Sequence, residues 1–428
     1  MVATRRRNKG GKPVFAGAQG CVFVPSLKCK NRPRNMTDGN ISKLGYRAGS
    51  ESEIREQEKI MPYIKKIRNY EKFFSVRASS CEPDALTPHD LEGFNETCIN
   101  FDKDIDASNV NRNLDKLRAI NMPHLGTDLT GWMEKSPLDA RRVRQLNDHI
   151  SMLLVRAIVP MNQQGVLHND LKSENLMMDT AETTVRVIDW GLAGITTPHH
   201  VIPEHHFMNN PVTFNRPFST MIISHDIDAL YHNFISQLPA NFDPQQLEPF
   251  VNGLYTDYRK MAPTGHDYLT YIFKSMFNMN TETATRVLTA VIEKYNAVIL
   301  YHFTNPARRK FMLHEYFNKV YRYNTDVWGI MSVFYSMFML PRNHFIMPDS
   351  TYAAMLQQYR ALFRTIVFVN GHKRMNVQRI VQHLRQINNT VAAAQNKSVK
   401  KMVKFNIATR NPRHTQRVPT PHPLKGVY

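Results

Sequence analysis

The residues with the clearest chemical potential lie in one short segment, residues 166–178, which reads Val-Leu-His-Asn-Asp-Leu-Lys-Ser-Glu-Asn-Leu-Met-Met. Asp170, Lys172 and Asn175 follow one another closely there. Transfer of a phosphoryl group from ATP needs a carboxylate that orients the attacking hydroxyl, positive charge near the phosphates, and a divalent metal. Asp170 provides the carboxylate, Lys172 the positive charge, and the amide oxygen of Asn175 a hard ligand of the kind that Mg²⁺ prefers. The segment therefore predicts a phosphotransfer centre.

A second segment, residues 185–191, continues this pattern. It is an alternating apolar strand that ends at Asp189 and is followed by Trp-Gly. Asp189 is the second predicted Mg²⁺ ligand. Together the two segments match the kinase pattern H-x-D-x-K-x-x-N followed by D-x-G at six positions. A match at six linked positions is far more specific than a single Asp with an Asn five residues later. We interpret His168 as a supporting residue rather than a catalytic one.

The nucleotide should bind to residues upstream of this centre. Residues 15–23, Phe-Ala-Gly-Ala-Gln-Gly-Cys-Val-Phe, resemble the glycine-rich loop G-x-G-x-x-G-x-V at Gly17, Gly20 and Val22. Phe15 replaces the first glycine of that pattern.

A lysine that anchors the phosphates is expected on the third strand. Lys28 follows the glycines too closely for a strand, a turn and a returning strand, so Lys43 is the better candidate. Its ion-pair partner should be an inward-facing glutamate of the charged helix that follows. Glu56 shares a helical face with apolar residues and is our choice, while Glu53 and Glu58 remain alternatives.

A hinge is predicted near residues 122–129, where Pro123, Gly126 and a Gly-Thr-Asp turn interrupt the chain. Asp128 is the candidate for the ribose hydroxyls, and an Asx turn is the alternative role for this residue.

The order of elements predicts an α+β, bilobal, protein-kinase-like fold, because short β segments come first and helices dominate later. Helices are expected from about residue 50 to 68 and from 138 to 163. We predict five parts: a basic N-terminal tail (1–14), a β-rich N-lobe (15–121), a helical C-lobe (122–392), a long helical insertion within it (about 222–323) and a basic C-terminal tail (393–428).

The chain resembles the eukaryotic-type protein-kinase superfamily, and more closely the divergent serine/threonine kinases of large nucleocytoplasmic DNA viruses. Besides the kinase motifs, four local runs carry the closer resemblance. They are Gly-Cys-Val-Phe-Val-Pro-Ser-Leu-Lys-Cys (20–29), Ile-Ser-Lys-Leu (41–44), Thr-Phe-Asn-Arg-Pro-Phe-Ser (213–219) and Asn-Thr-Asp-Val-Trp-Gly (324–329). The resemblance implies ATP and Mg²⁺ as cofactors, protein Ser/Thr hydroxyls as acceptors, and a location in the host cytoplasm or in the virion.

The resemblance also implies structural roles for two later residues. Asp326 would begin the central helix of the large lobe and brace the backbone of the catalytic loop. Arg374 would match the structural arginine that kinases carry late in the sequence.

Three departures from the kinase pattern affect regulation and substrate choice. Asn169 replaces the arginine that binds a phosphorylated activation loop, so we predict no dependence on phosphorylation there. Trp190 replaces the phenylalanine after Asp189. No Ala-Pro-Glu triplet follows, which leaves residues 215–219 as the candidate support for the substrate platform.

Charge suggests further partners. The net charge is +19, and the ends of the chain are rich in Lys and Arg. Such tails attract nucleic acid or other polyanions, although a merely solvated tail is an equally good interpretation. No apolar run approaches the roughly 20 residues that a membrane-spanning helix needs.

The spacing of the four cysteines indicates no redox or metal-binding motif. Cys21, Cys29, Cys81 and Cys98 form no CxxC pair. We therefore expect four small buried hydrophobes in a reducing, intracellular compartment, with no function assigned.

Two alternatives to an active kinase remain. A pseudokinase or virion scaffold is favoured by the missing glycine and the insertion, but a scaffold has no need for the full catalytic set. Nucleic-acid binding through the tails is compatible with catalysis. Lys172 itself favours Ser/Thr protein kinases over tyrosine kinases, and over small-molecule phosphotransferases of the same fold, which often have His at this position.

Overall fold

The computed structural model of the protein describes residues 11–17, 20–30, 40–75, 79–101, 104–196, 213–223 and 227–409. For residues 394–409 it describes the backbone alone. It has a β-sheet N-terminal region followed by a helical region, which is the order that the sequence predicted and is compatible with a kinase-like fold.

The N-terminal region is built on a five-stranded antiparallel sheet with the strand order β1-β2-β3-β5-β4. Its strands are β1 Lys12–Gly17, β2 Gly20–Val24, β3 Asn40–Tyr46, β4 Ser79–Cys81 and β5 Leu117–Pro123. Its helices are α1 Arg47–Ile64, α2 Tyr70–Phe73 and α3 Phe94–Thr97. The sheet begins at Lys12, so the first three residues of β1 belong to the fold and not to the predicted tail.

The segment between β4 and β5 contributes buried apolar residues to the N-terminal region. Leu86, Phe94 and Cys98 are buried there and pack with Phe23 and Leu44 of the sheet. This cluster gives the small sheet its second apolar layer, because Phe23 and Leu44 would otherwise face water.

All four cysteines are paired, which corrects their interpretation as unpaired buried residues. Cys21 is bonded to Cys98, and Cys29 to Cys81. Both disulfides join the stretch around β2 to the segment that contains β4 and α3. The pairing also removes the argument for a reducing compartment, since structural disulfides are rare there. Spacing could not reveal these pairs, which are 77 and 52 residues apart in sequence.

Helix α1 connects the two regions. Its Ile60 and Ile64 are fully buried and belong to the large hydrophobic cluster of the helical region. Each buried side chain of this size contributes roughly 1.5–3 kcal/mol relative to an exposed one. The helix therefore fixes the N-terminal sheet relative to the elements that follow it.

The helical region contains short strands and most of the helices. The strands are β6 Thr127–Asp128, β7 Leu138–Asp139, β8 Val166–Leu167, β9 Leu176–Met178, β10 Val185–Val187, β11 Gly194–Ile195, β12 Thr304–Asn305, β13 Lys310–Phe311 and β14 Phe345–Ile346. The helices are α4 Leu129–Lys135, α5 Ala140–Leu153, α6 Val159–Gln163, α7 Thr220–Ile223, α8 Asp228–Ile235, α9 Glu248–Met261, α10 Pro263–Phe277, α11 Thr281–His302, α12 Leu313–Tyr316, α13 Arg322–Ser332, α14 Ser336–Met339, α15 Asp349–Leu362 and α16 Val377–Thr409. Three π-helical turns continue helices at Leu154–Ile158, Phe317–Tyr321 and Phe363–Val367.

The predicted helix at 138–163 is α5, a π-helical turn and α6 in succession. Asp139 caps its start by accepting a hydrogen bond from the backbone N–H of Arg142 at 2.8 Å. Val143, Leu146 and Ile150 then recur at helical spacing and are fully buried.

Helices α8 to α11 form most of the predicted insertion, and they share the hydrophobic cluster of the helical region. Helix α16 continues to Thr409, so the first part of the predicted C-terminal tail is helical. Residues 410–428 and 1–10 lie outside the described residues. No helix in the described part of the chain is both long and apolar enough to cross a membrane.

Candidate active site

The predicted phosphate-anchoring lysine lies on β3 and is paired with a glutamate. Lys43 Nζ is 2.7 Å from Glu53 Oε2, and both side chains are largely buried. Burial alone would lower the pKa of Lys43, but the nearby carboxylates of Asp189 and Glu53 outweigh burial, so the net pKa is raised. Burial raises the pKa of Glu53 more than Lys43 lowers it. The lysine is therefore held as a cation close to Asp189.

Glu56 is not the partner of Lys43, and this prediction is corrected. Its carboxylate is 2.6 Å from Lys59 Nζ on the helix surface. Glu53 is one helical turn earlier on a similar face. Because β3 runs directly into α1, the first turns of the helix lie nearest to Lys43, and Glu53 reaches it. The prediction therefore chose the correct face of α1 but a glutamate one helical turn too late.

The glycine-rich segment forms the β1–β2 hairpin. Gly17 and Gly20 are directly opposite each other, and Gly20 packs so closely on the Leu44 carbonyl that a Cβ would not fit. Val22 is paired with Lys43 across β2 and β3. Because directly opposite residues of antiparallel strands share a face of the sheet, Val22 and Lys43 lie on the same side. Residues 18–19, between β1 and β2 in sequence, lie outside the described residues.

The catalytic-loop residues converge on the carboxylate of Asp170. Lys172 Nζ is 3.0 Å from Asp170 Oδ2, and Asn175 Nδ2 donates to the same oxygen at 3.0 Å. Asn215 Nδ2 donates to Oδ1 at 2.8 Å. The structure thus brings Asp170, Lys172 and Asn175 together as predicted. Asn215, which is 45 residues away in sequence, was recognised only as part of a supporting segment.

The carboxylate of Asp326 binds the backbone of the loop that carries Asp170. It accepts hydrogen bonds from the backbone N–H groups of His168 and Asn169, both at 2.9 Å, and from Asn162 Nδ2 at 2.7 Å. Burial raises the pKa of Asp326, and these hydrogen bonds oppose that rise by stabilising the ionised form. Asp326 lies within α13 rather than at its start, since the helix begins at Arg322.

Two hydrogen bonds link the catalytic loop to the Asp189 segment. His168 Nε2 donates to the Ile188 carbonyl at 2.9 Å, and the Ile188 N–H donates to the Asn175 carbonyl at 3.0 Å. Asp189 has a φ of +62°, a left-handed conformation that is uncommon for residues other than glycine. The two predicted Mg²⁺ ligands are therefore held on adjoining pieces of backbone.

The donor set fits Mg²⁺. Asn175 directs its amide hydrogens at the carbonyl and carboxylate oxygens of Asp170, which leaves its Oδ1 as the ligand atom. Asp189 uses Oδ1 for a 3.3 Å contact with the Gly191 N–H, and its Oδ2 stays available. Within the described ranges no group of three or more His, Cys, Asp or Glu residues could hold a metal. One carboxylate and one amide suit Mg²⁺, because this ion takes its other ligands from phosphates and water.

Trp190 and Asn169 replace kinase residues and still connect parts of the site. Trp190 is buried, donates from Nε1 to the Ser75 carbonyl at 2.9 Å and packs against Phe74 and His168. Asn169 has a φ of +62°, and its Nδ2 donates to the Leu192 carbonyl at 3.2 Å. Asn is among the residues that tolerate this conformation best.

Asp128 lies in the hinge but acts as a helix cap. Its Oδ1 accepts a hydrogen bond from the Gly131 N–H at 2.9 Å at the start of α4. The Asx-type role is therefore observed. Gly126, with a φ of +106°, lets the hinge pass against the Met178 carbonyl, where a Cβ would clash. Hence the hinge is positioned by close backbone packing against β9.

The segment at residues 213–223, called the platform segment below, is held against the catalytic loop. Arg216 is buried and its Nε donates to the Asn169 carbonyl at 2.7 Å. Trp328 Nε1 donates to the Phe214 carbonyl at 3.1 Å. Sequence inspection missed Arg216. The only available signal was its place in the run 213–219.

The insertion contacts the other side of the platform segment. Tyr258 donates to the Met221 carbonyl at 2.8 Å, and Tyr316 donates to Ser219 Oγ at 2.8 Å. Tyr295 packs edge-on against Phe218. The platform is thus supported by tyrosines from the helices that follow it.

Arg374, which was expected to be a structural residue, donates from Nε to the Lys319 carbonyl at 2.7 Å and lies over the Tyr323 ring. The predicted independence from phosphorylation concerns residues 197–212, which lie outside the described residues.

A comparison with protein-family models gives a match over part of the chain. A family model described as the phosphotransferase enzyme family matches residues 100–200. That range includes the hinge, Asp170, Asn175 and Asp189. Over this stretch the chain is similar to phosphotransferases of the protein-kinase-like superfamily, which also include small-molecule kinases. This match supports a phosphotransferase enzyme of this superfamily, and the fold is compatible with it.

Proposed function

We propose that this protein is a bilobal serine/threonine protein kinase that transfers the γ-phosphate of Mg-ATP to protein hydroxyl groups. The observation that carries the proposal is the environment of Asp170. Its carboxylate contacts Lys172, Asn175 and Asn215 within about 3 Å, and it lies beside the segment of Asp189. The Lys43–Glu53 ion pair is formed at the same time.

Each residue has a defined task in this proposal. ATP binds under the β1–β2 hairpin, with Gly17, Gly20 and Val22 above it and Lys43 on its phosphates. Asp128 remains the candidate for the ribose through its second carboxylate oxygen. When bound, Mg²⁺ would neutralise charge on the phosphates, held by Asn175 and Asp189.

The transfer step then follows from the geometry around Asp170. The substrate hydroxyl forms a new O–P bond as the bond between the γ-phosphorus and the bridging oxygen breaks, and ADP leaves. Asp170 accepts the hydroxyl proton, and Lys172 stabilises the negative charge of the transferring group.

A second candidate is a small-molecule phosphotransferase, favoured by the family match over residues 100–200. Lys172 supports the protein-kinase proposal, because the small-molecule enzymes often have His at this position. The ordered platform segment beside Asp170 also suits an extended peptide substrate. A scaffold without activity is the third candidate.

The test is transfer of labelled γ-phosphate from Mg-ATP to generic acidic and basic proteins, and in parallel to small hydroxylated compounds. We expect transfer to Ser and Thr, lost by at least about 1000-fold in Asp170→Asn and Asp189→Ala. Asp257→Asn, an exposed site on α9, is the matched control and should keep full activity. Transfer only to small molecules would replace the proposal by the second candidate, and absence of both transfer and Mg-ATP binding would favour the scaffold.

The finer biological assignment is likewise a proposal. We propose a kinase of a large nucleocytoplasmic DNA virus that acts in host cytoplasm or is packaged in the virion, supported by the sequence runs that resemble such kinases. The C-terminal basic stretch, part of which is the end of α16, would contact nucleic acid or another polyanion. Salt-dependent DNA or RNA binding that disappears when residues 393–428 are deleted would support that contact.

A further inference from the structure

The carboxylate of Asp170 has more hydrogen-bond acceptor sites than its described neighbours use. An ionised carboxylate offers about four hydrogen-bond acceptor sites, two on each oxygen. Oδ2 accepts a hydrogen bond from Asn175 at 3.0 Å and forms an ion pair with Lys172 Nζ, also at 3.0 Å. Oδ1 accepts a hydrogen bond from Asn215 at 2.8 Å. Because the lysine cation lies at Oδ2, the second acceptor site of Oδ1 is the one left for an incoming hydroxyl.

The amide of Asn215 is firmly placed. Asn215 is 4% exposed, and its neighbours Phe214 and Arg216 are bonded to Trp328 and to the Asn169 carbonyl. On the other side, a Cβ at Gly329 would lie 3.2 Å from the Asn215 carbonyl, so α13 packs directly on this backbone. The amide must present nitrogen to Asp170, because its oxygen would repel the carboxylate.

We propose that Asn215 is a positioning residue that orients Asp170 and leaves one oxygen, Oδ1, to receive the substrate proton. This inference rests on the proposed function. The terminal torsion of an aspartate is broad, so its two oxygens are otherwise free to rotate. Without the Asn215 donor the carboxylate turns toward Lys172, and the acceptor site moves away from the hydroxyl. A misplacement of about 1 Å can cost about 100-fold in rate.

The effect should appear in kcat and not in nucleotide affinity. Asn215 contacts Asp170, whereas the nucleotide residues lie on β1, β2 and β3. Asn296 is the matched control. It donates to the Phe218 carbonyl at 3.4 Å and to the Ile292 carbonyl at 2.9 Å. It thus supports the same platform segment from the side of α11, and within the described residues it forms no hydrogen bond with Asp170.

The experiment compares wild type, Asn215→Ala, Asn215→Asp and Asn296→Ala in kcat and KM for protein phosphorylation, dissociation constant for Mg-ATP, and melting temperature. We expect kcat to fall about 10- to 100-fold in Asn215→Ala, with Mg-ATP affinity within about twofold of wild type. Asn215→Asp, which has the same shape but replaces the donor with a second carboxylate, should be slower still. Asn296→Ala should lower the melting temperature at least as much as Asn215→Ala while keeping most of kcat.

Two results would overturn the inference while leaving the proposed function intact. One is unchanged kcat in Asn215→Ala. The other is a loss of kcat in both alanine variants that simply follows the melting temperature, because the role of Asn215 would then be structural. A wild-type chain that transfers no phosphate would overturn the proposed function, and this inference with it.

Discussion

The N-terminal region and the helical region both hold parts of the candidate site, and they do so by different means. In the N-terminal region, two disulfides tie the stretch around β2 to the segment that contains β4 and α3. In the helical region, tyrosines and a tryptophan from later helices hold the platform segment through hydrogen bonds and ring packing.

The difference follows from size. The smaller hydrophobic cluster is built from a few strands and very short helices, and small clusters often need covalent support. The larger cluster spans most of the helical region and buries whole tyrosines, of which Tyr258 and Tyr316 form hydrogen bonds through their hydroxyl groups. Covalent support should therefore matter for the nucleotide side of the site, and buried hydroxyl contacts for the substrate side.

The largest expected effect comes from opening one disulfide. Cys21→Ser with Cys98→Ser should lower the free energy of unfolding by ~4 kcal/mol, because the disulfide closes a loop of 77 residues in the unfolded chain. Urea unfolding and Mg-ATP affinity would both be measured. The reductant dithiothreitol opens both disulfides, so it should destabilise wild type at least as much and leave a variant that lacks all four cysteines unchanged. Equal stability of oxidised wild type and the double variant would show that the N-terminal region does not depend on this disulfide.

The next effect concerns the ion pair that joins β3 to α1. Glu53→Gln should reduce phosphoryl transfer by about 100-fold, since Lys43 then loses the carboxylate that positions it. Glu56→Gln is the control on the same helix and should retain wild-type activity, because the ion pair of Glu56 in the described part of the chain is with the exposed Lys59. Similar losses in the two variants would show that α1 is sensitive to any change of charge.

A smaller effect tests the hydroxyl contacts of the helical region. Tyr316→Phe removes the donor to Ser219 Oγ and should cost about 1 kcal/mol of unfolding free energy. Tyr301→Phe, at a 39% exposed position, should cost less than about 0.5 kcal/mol. An unchanged stability in Tyr316→Phe would mean that ring packing alone supports the platform.

The smallest effect is on pH dependence. Burial lowers the pKa of His372 to about 4, and its ring stacks on His302 at the end of α11. Between about pH 6.5 and 4 the unfolded imidazole binds a proton that the folded one does not, so stability falls as pH is lowered through this window. His372→Gln should remove part of that loss in urea unfolding at pH 7 and 5, whereas replacing the exposed His314 should not. An identical pH dependence of stability in the two variants would show that His372 is not a source of the loss at low pH.

Local spacing was enough to predict much of the site. Asp170, Lys172 and Asn175 are within six residues of one another, so any loop that brings one to the cleft brings the others. Lys43 could be chosen by counting the residues that a hairpin and a third strand require. The order of a β-rich region and a helical region was also predictable from periodicity alone.

The remaining features depend on contacts between residues far apart in sequence. Helical periodicity gave the face of α1 but could not distinguish Glu53 from Glu56, because the distance to Lys43 depends on how the helix leaves β3. The cysteine pairs require the sheet topology. Asn215 reaches Asp170 only because α13 and the insertion press the platform segment onto the catalytic loop.

The brace from Asp326 has a consequence for how the protein is made. Its carboxylate binds the backbone of His168, which precedes it by 158 residues. At typical rates of roughly 5–20 residues per second, a ribosome needs roughly 10–30 s to add that length of chain. During that interval the backbone N–H groups of His168 and Asn169 lack the carboxylate that accepts their hydrogen bonds in the folded protein. The catalytic loop can therefore reach its final conformation only after Asp326 has been synthesised, late in translation.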